Sequence, residues 1–256
     1  MNQLHTGPLK PPPRRTADEV KQFLKRVVRL TGYDVKRRSP SREDFLASRH
    51  IDTIIDVGAN IGQFGKEVRA GGFLGHLVSF EPIAHVYKGL ADLSAHDPLW
   101  TAYNIGLSDE AGTAAINVCR NTTFSSLQNL TDAALRFDRN AECLSQEVIM
   151  LRRLDEFDSQ IAGERLFLKI DTQGHERQVV AGAGKVLDRI QGIQLELPIS
   201  AFYQDTWSMP RALDFMRELG FLPTHFYPVN FHCDYDPVAL VEVDCIFRRF
   251  DARIDG

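Results

Sequence analysis

A short, mostly apolar run that ends in a glycine bend constrains this chain more than any other stretch: Thr53-Ile54-Ile55-Asp56-Val57, then Gly58-Ala59-Asn60-Ile61-Gly62. A strand with no polar face belongs in the middle of a sheet covered by helices on both sides. The glycines permit positive φ and close backbone approach to whatever lies beyond the strand tip. Helix-compatible sequence follows until Gly71-Gly72 stops it. His76–Phe80 reads as a second strand, a helix is expected near 83–95, and 100–104 makes a third strand. Leu166–Ile170 and 193–197 are further buried-type strands. Between them lies a helix with Val179, Val180, Val186, Leu187 and Ile190 on its apolar face. Residues 210–219 carry Pro210 at the start and Gly220 just past the end, the asymmetry of a helix. Strands alternating with helices imply parallel βαβ units in an open, doubly wound α/β sheet.

The end of the chain breaks that rhythm. Residues 221–227 and 238–248 look like two strands joined by a loop holding Pro228, Asn230, Asp234 and Pro237, with no helix between them. Strands joined without a crossover are normally antiparallel. Residues 107–160 fit no regular unit, and so long an insertion often carries specificity. Extra strands are expected within it at 114–119 and 147–152. At the other end, 1–16 is Pro-rich and reads as a disordered tail. Residues 17–50 read as an N-terminal helical extension, in which Val20, Phe23, Leu24, Val27 and Val28 recur at helical spacing. The main domain spans 51–250.

Composition narrows the function. A formal net charge of −4 argues against a dedicated nucleic-acid binder. No apolar run approaches the roughly 20 residues that span a bilayer, and MNQLHTGPLKPPPRR has no apolar stretch of the secretory kind. Cys119, Cys143, Cys233 and Cys245 form no CxxC and no zinc-like spacing, so reduced thiols in a cytoplasmic protein are expected. A homo-oligomer is left open.

The chemistry concentrates at the strand tips. A pyrophosphate prefers bare amides at a helix N-terminus, with no carboxylate intruding. Here Asp56 stands beside the bend and Asn60 takes the place of the central glycine of G-x-G-x-x-G. A free-amine amino acid ligand, by contrast, needs an acidic partner, and Asp56 supplies one. Glu81 ends the second strand, where an acid accepts hydrogen bonds from the ribose hydroxyls of an adenosine ligand. Together the two acids suit an adenosyl amino acid.

Four motifs in order, DVGANIGQF, VSFEP, NIGLSD and LKIDTQGHE, resemble those of FkbM-type methyltransferases. NTTFSSL (121–127) and GIQLE (192–196) add to the likeness, which runs from about Ile51 to Phe250. The resemblance implies a mostly parallel, seven-stranded Rossmann-like sheet with an antiparallel last strand, preceded by the N-terminal helix. It implies S-adenosylmethionine as cofactor and methylation of a hydroxyl oxygen on a small acceptor, often a sugar or natural product, with neither nucleic acid nor a membrane span involved. Asp56, Gly58, Ala59, Asn60, Gly62 and Phe64 would hold the methionine end, and Glu81 with Pro82 the ribose. Asn104, Gly106 and Leu107 would lie toward adenine, with Ser125 and Ser126 near cofactor or substrate. Thr172-Gln173 and His175 depart from the commoner pattern.

Because the cofactor brings the reactive group, the protein must align the acceptor oxygen and remove its proton. Asp171 leads as catalytic candidate, ending the fourth strand and also facing the cofactor. An isolated Asp, with a pKa of about 3.9, is a weak base for an alcohol. His175 is an alternative base near neutral pH. Glu196, ending the fifth strand, would join Asp171 if Mg²⁺ assisted by lowering the acceptor's pKa. Glu176 reads as a helix cap, and His225 and His232 as rim residues. Phe202, Tyr203 and Trp207 either form a platform for the acceptor or pack beneath their loop. Two other readings stand beside this one: an NAD(P)-dependent oxidoreductase, and a non-catalytic binding protein that keeps the fold.

Overall fold

The computed structural model describes residues 17–30, 40–231 and 239–255. The expected tail at 1–16, His232, Cys233 and the loop residues Asp234 and Pro237 lie outside these. Two compact units divide the chain, 1–40 and 41–256. The first contains helix α1 (Ala17–Arg29), beginning where the apolar periodicity begins. The second starts earlier than the expected domain boundary, because α2 (Arg42–Ser48) belongs to it. Ser41 caps α2 in a reciprocal box with Asp44, and Phe45 and Leu46 bury its inner face.

The main unit then alternates as expected: β1 (Thr53–Val57), α3 (Gln63–Ala70), β2 (His76–Phe80), α4 (Ala84–Ser94) and β3 (Trp100–Tyr103). The insertion contributes β4 (Gly106–Leu107), β5 (Gly112–Cys119), α5 (Asp132–Phe137) and β6 (Cys143–Arg152). Regular alternation resumes with β7 (Leu166–Ile170), α6 (Glu176–Ala181), β8 (Ile190–Pro198) and α7 (Met209–Glu218). The chain closes with β9 (Phe221–Phe231), β10 (Leu240–Arg249) and a short α8 (Ala252–Asp255).

Seven strands form the main sheet in the order β3-β2-β1-β7-β8-β10-β9. β10 runs antiparallel to both of its neighbours, β8 and β9, while β1, β2, β3, β7 and β8 are parallel. The order reverses at β1, so the crevice beyond the β1 and β7 tips is where an open sheet of this kind binds ligands. One face carries Ile55, Val57, Phe80 and Leu168 against the α6 and α7 side; the other carries Ile54, Leu77 and Phe167 against Phe45 and Phe64.

Two elements differ from expectation. The helix foreseen up to Ile190 stops at Ala181; a 3₁₀ turn covers Gly184–Arg189, and Ile190 already opens β8. The cause is close packing: a Cβ at Gly182 would stand 2.0 Å from the Ser108 carbonyl oxygen, so the chain turns there against the insertion. Val179, Val180 and Val186 are buried regardless. The loop expected to hold Pro228 and Asn230 starts later, because β9 continues to Phe231 with register shifts that accommodate Pro228. The two extra strands expected in the insertion are present, as β5 and β6, and with β4 they make a second, three-stranded sheet that pairs Ala114 with Ile149. Cys119, Cys143 and Cys245 are free thiols. Among the described residues, no helix is long and apolar enough to cross a membrane.

Candidate active site

Beyond the tips of β1, β2, β7 and β8 lies a cavity of about 280 Å³, to whose lining the insertion contributes Ile116, Ser125, Leu127, Ile149 and Leu151. The glycine bend forms its floor. Gly58 has φ +74°, and a Cβ there would stand 1.9 Å from the Asp171 carbonyl oxygen, so only glycine lets the bend lie against the β7 tip.

The bend's amides are all engaged. Gly58 and Ala59 N–H both donate to the Phe80 carbonyl at 3.0 Å, and Gly62 N–H donates to Ala59 at 2.9 Å. Ile61 N–H donates to the Asn60 side chain. Asn60 N–H donates to Glu81 Oε2 and Ile83 N–H to Glu81 Oε1, each at 2.9 Å. A carboxylate of the protein thus occupies the ground a bound phosphate needs, and this opposes the dinucleotide reading.

Glu81 is 5% exposed yet lines the cavity. Burial pushes its carboxyl up to about 7, against the pull of the two amides and Lys169. A carboxyl raised in the fold favours the folded state most below its unfolded value and loses that advantage as pH rises through about 7. Wild-type stability in urea should therefore fall between about pH 5 and pH 7.5. Glu81→Gln should flatten that fall by up to about 3 kcal/mol; an unchanged slope would remove Glu81 as its source.

Asp56 is 1% exposed and is not among the residues that line the cavity. Parallel register places it directly opposite Lys169 on β7. The Lys169 ammonium is 3.1 Å from Asp56 Oδ1 and 3.4 Å from Asp171 Oδ2. Burial pushes the Asp56 carboxyl up and Lys169 pulls it back; burial also works to lower Lys169, and the two carboxylates more than offset it. We take the contact as an ion pair. Lys169 went unnoticed in the sequence because a lysine inside an apolar strand (LFLKI) reads as noise until its neighbour across the sheet is known.

Asp171 lines the cavity with its carboxylate 37% exposed. Gln173 Nε2 donates to Asp171 Oδ1 at 2.6 Å and to Glu196 Oε2 at 3.1 Å, bridging the two acids. The carboxamide stands where the Mg²⁺ version would set an ion, and among the described residues no group of three or more His, Cys, Asp or Glu could hold one. Gln173 is itself fixed: its φ is +56°, Tyr203 Oη donates to its Oε1 at 2.6 Å, and Ser126 Oγ donates to its carbonyl at 2.6 Å. Burial pushes the Glu196 carboxyl well up, with Asp171 adding to the shift.

His175 also lines the cavity. Ser108 Oγ donates to Asp109, so the 3.0 Å contact between Ser108 and His175 Nε2 assigns the proton to Nε2. Nδ1 is then a buried acceptor without a partner, and burial lowers the imidazole's pKa. Glu176 accepts from the Thr172 and Gly174 amides and so stitches the β7–α6 loop.

The remaining expected residues divide. Ala59, Asn60, Phe64, Pro82, Gly106, Leu107 and Ser125 line the cavity. Gly62, Asn104 and Ser126 are not among its lining residues: Gly62 is the N-cap of α3, Asn104 Nδ2 ties down the Glu81 and Pro82 carbonyls, and Ser126 anchors Gln173. Phe202, Tyr203 and Trp207 are buried under their loop, Phe202 against Phe137 and Trp207 against Phe215, which settles them as packing. His225 stacks on Tyr227, away from the cavity.

The Methyltransferase FkbM domain matches residues 56–223. The AMB antimetabolite synthetase AmbE of Pseudomonas aeruginosa is 29% identical in an alignment of length 174 that covers 56% of this chain and 8% of that protein. Among solved structures, a 1,6-didemethyltoxoflavin-N1-methyltransferase of Burkholderia thailandensis aligns over 94% of both chains at 13% identity and a TM-score of 0.43. A putative tRNA (m1A22) methyltransferase of Streptococcus pneumoniae aligns over 84% of this chain and 74% of its own, at 10% identity and a TM-score of 0.42.

Proposed function

The chain belongs to the FkbM family of S-adenosylmethionine-dependent methyltransferases, and on that premise we propose that it methylates a hydroxyl oxygen of a small acceptor, a sugar or a natural product. The donor supplies its methyl group as an electrophile on a sulfonium, so an oxygen nucleophile needs alignment and loss of its proton. The cavity fits such a donor. Glu81 keeps lone pairs facing the cavity after binding two amides, which suits the paired hydroxyls of a ribose. Leu107, Ile149 and Leu151 offer an apolar wall for a base on the β3 side of Glu81.

The observation that carries oxygen methylation is the suspension of Asp171. One carboxylate oxygen is held by Gln173 and the other lies 3.4 Å from Lys169, while the group still reaches the cavity. Asp171 is thereby aimed to accept a proton from an acceptor hydroxyl, and His175, which lines the same cavity, is the second candidate base. Glu196 shares Gln173 with Asp171 and takes part as the partner that sets the pair's total charge.

Two measurements test this reading. Thermal unfolding should be raised by S-adenosylhomocysteine, by about 2.7 kcal/mol at 100 times its Kd, and left unmoved by NADH; the reverse pattern would return the oxidoreductase reading. A panel of hydroxylated acceptors with isotope-labelled donor, scored by product mass, should yield an O-methyl product. Donor binding with no product on any acceptor would favour a binding protein.

A further inference from the structure

Two cationic side chains, Arg42 and Lys169, are among those lining the cavity, and both lie against the Phe64 ring, 4.6 and 5.5 Å from its centre. They are not equivalent. An ammonium has three N–H donors, and Lys169 faces three acceptors: Asp56 at 3.1 Å, Asp171 at 3.4 Å and the Gly58 carbonyl at 3.5 Å. It has nothing left for a ligand. Arg42 has five donors. Its Nη2 donates to Glu67 at 3.1 Å and approaches Glu43 at 3.6 Å, and its Nε is buried without a hydrogen-bond partner. A buried donor left unmet is costly, and a guanidinium suits a carboxylate.

Position indicates which carboxylate. Glu81 stands at the β2 tip, with Gly106 and Leu107 beyond β3 on one side and the β1 bend on the other. A donor with its ribose on Glu81 and its base toward Leu107 runs its amino-acid tail past Asn60 to Phe64, the second residue of α3. Arg42 lies over that ring. It is held there by α2, whose Phe45 packs 5.8 Å from Phe167 of β7. Arg42 precedes the residues matched by the family, so the family assigns it no role.

We propose that Arg42 binds the α-carboxylate of the methyl donor's methionine moiety. This rests on the donor reading above. In that arrangement the guanidinium fork, shared with Glu67, closes the cavity at the α3 end, and the tail is read by a residue from outside the βαβ core.

Calorimetry on the full chain tests the assignment with two probes. S-adenosylhomocysteine carries the amino-acid tail; 5′-methylthioadenosine has the same adenosine and thioether without it. Arg42→Met keeps an apolar stem over Phe64. It should weaken S-adenosylhomocysteine about 10- to 100-fold and leave methylthioadenosine within about twofold, the latter showing that the cavity is intact. Arg42→Lys should recover part of the loss, since it restores charge without the fork. Unchanged S-adenosylhomocysteine affinity in Arg42→Met, or equal loss of both probes, overturns the proposal and leaves the donor reading standing. Failure of the wild type to bind either probe overturns both.

Discussion

Lys169→Met should destabilise the main unit by about 3–5 kcal/mol, the cost of leaving a buried carboxylate without its counter-ion. Asp56 is 1% exposed and its charge has Lys169 at 3.1 Å. Removing the ammonium forces Asp56 to take up a proton or drag water beneath the glycine bend, and it also frees Asp171 to move. The double variant Asp56→Asn with Lys169→Met should regain much of the loss, because no uncompensated charge remains. A double-mutant cycle in urea measures the coupling directly. If Lys169→Met costs under 1 kcal/mol, Asp56 does not depend on Lys169 for its charge.

Asp171→Asn should lower methyl transfer to the acceptor found by the product screen about 10²- to 10⁴-fold, the usual range for losing a positioned proton acceptor. The amide keeps the size of the side chain and can still meet Gln173 after rotation. S-adenosylhomocysteine affinity should therefore change by no more than a few-fold. That split between turnover and binding separates a base from a donor-binding role. Full turnover in Asp171→Asn would remove it from the mechanism and direct attention to His175, which lines the same cavity.

Asp171 and Lys169 differ in how far the sequence alone reveals them. Asp171 was legible because strand, acid and glycine turn follow one another in the chain, and local order alone places an acid at a strand tip. The same holds for Glu81 and for the bend at Gly58. Lys169 was not legible, since its meaning comes from parallel register with Asp56, more than a hundred residues earlier. Gln173 was noticed only as a departure from a pattern. Its bridging of Asp171 and Glu196 depends on Tyr203 and Ser126, which reach it from two other loops. The aromatic residues after β8 illustrate the opposite limit: periodicity cannot tell a ligand platform from packing, and burial decided for packing.

Local signals in the sequence, apolar runs and glycine punctuation, were enough for the order of strands and helices, the antiparallel ending and the acids at the tips. These depend on short-range backbone preferences and on which side chains avoid water. Tertiary structure alone decided that α6 stops at Ala181, that a second sheet walls the cavity, and that Asp56 faces a lysine instead of open space. Each of those follows from contacts between segments far apart in the chain, where register and close packing, rather than the neighbouring residues, determine which charges and surfaces meet.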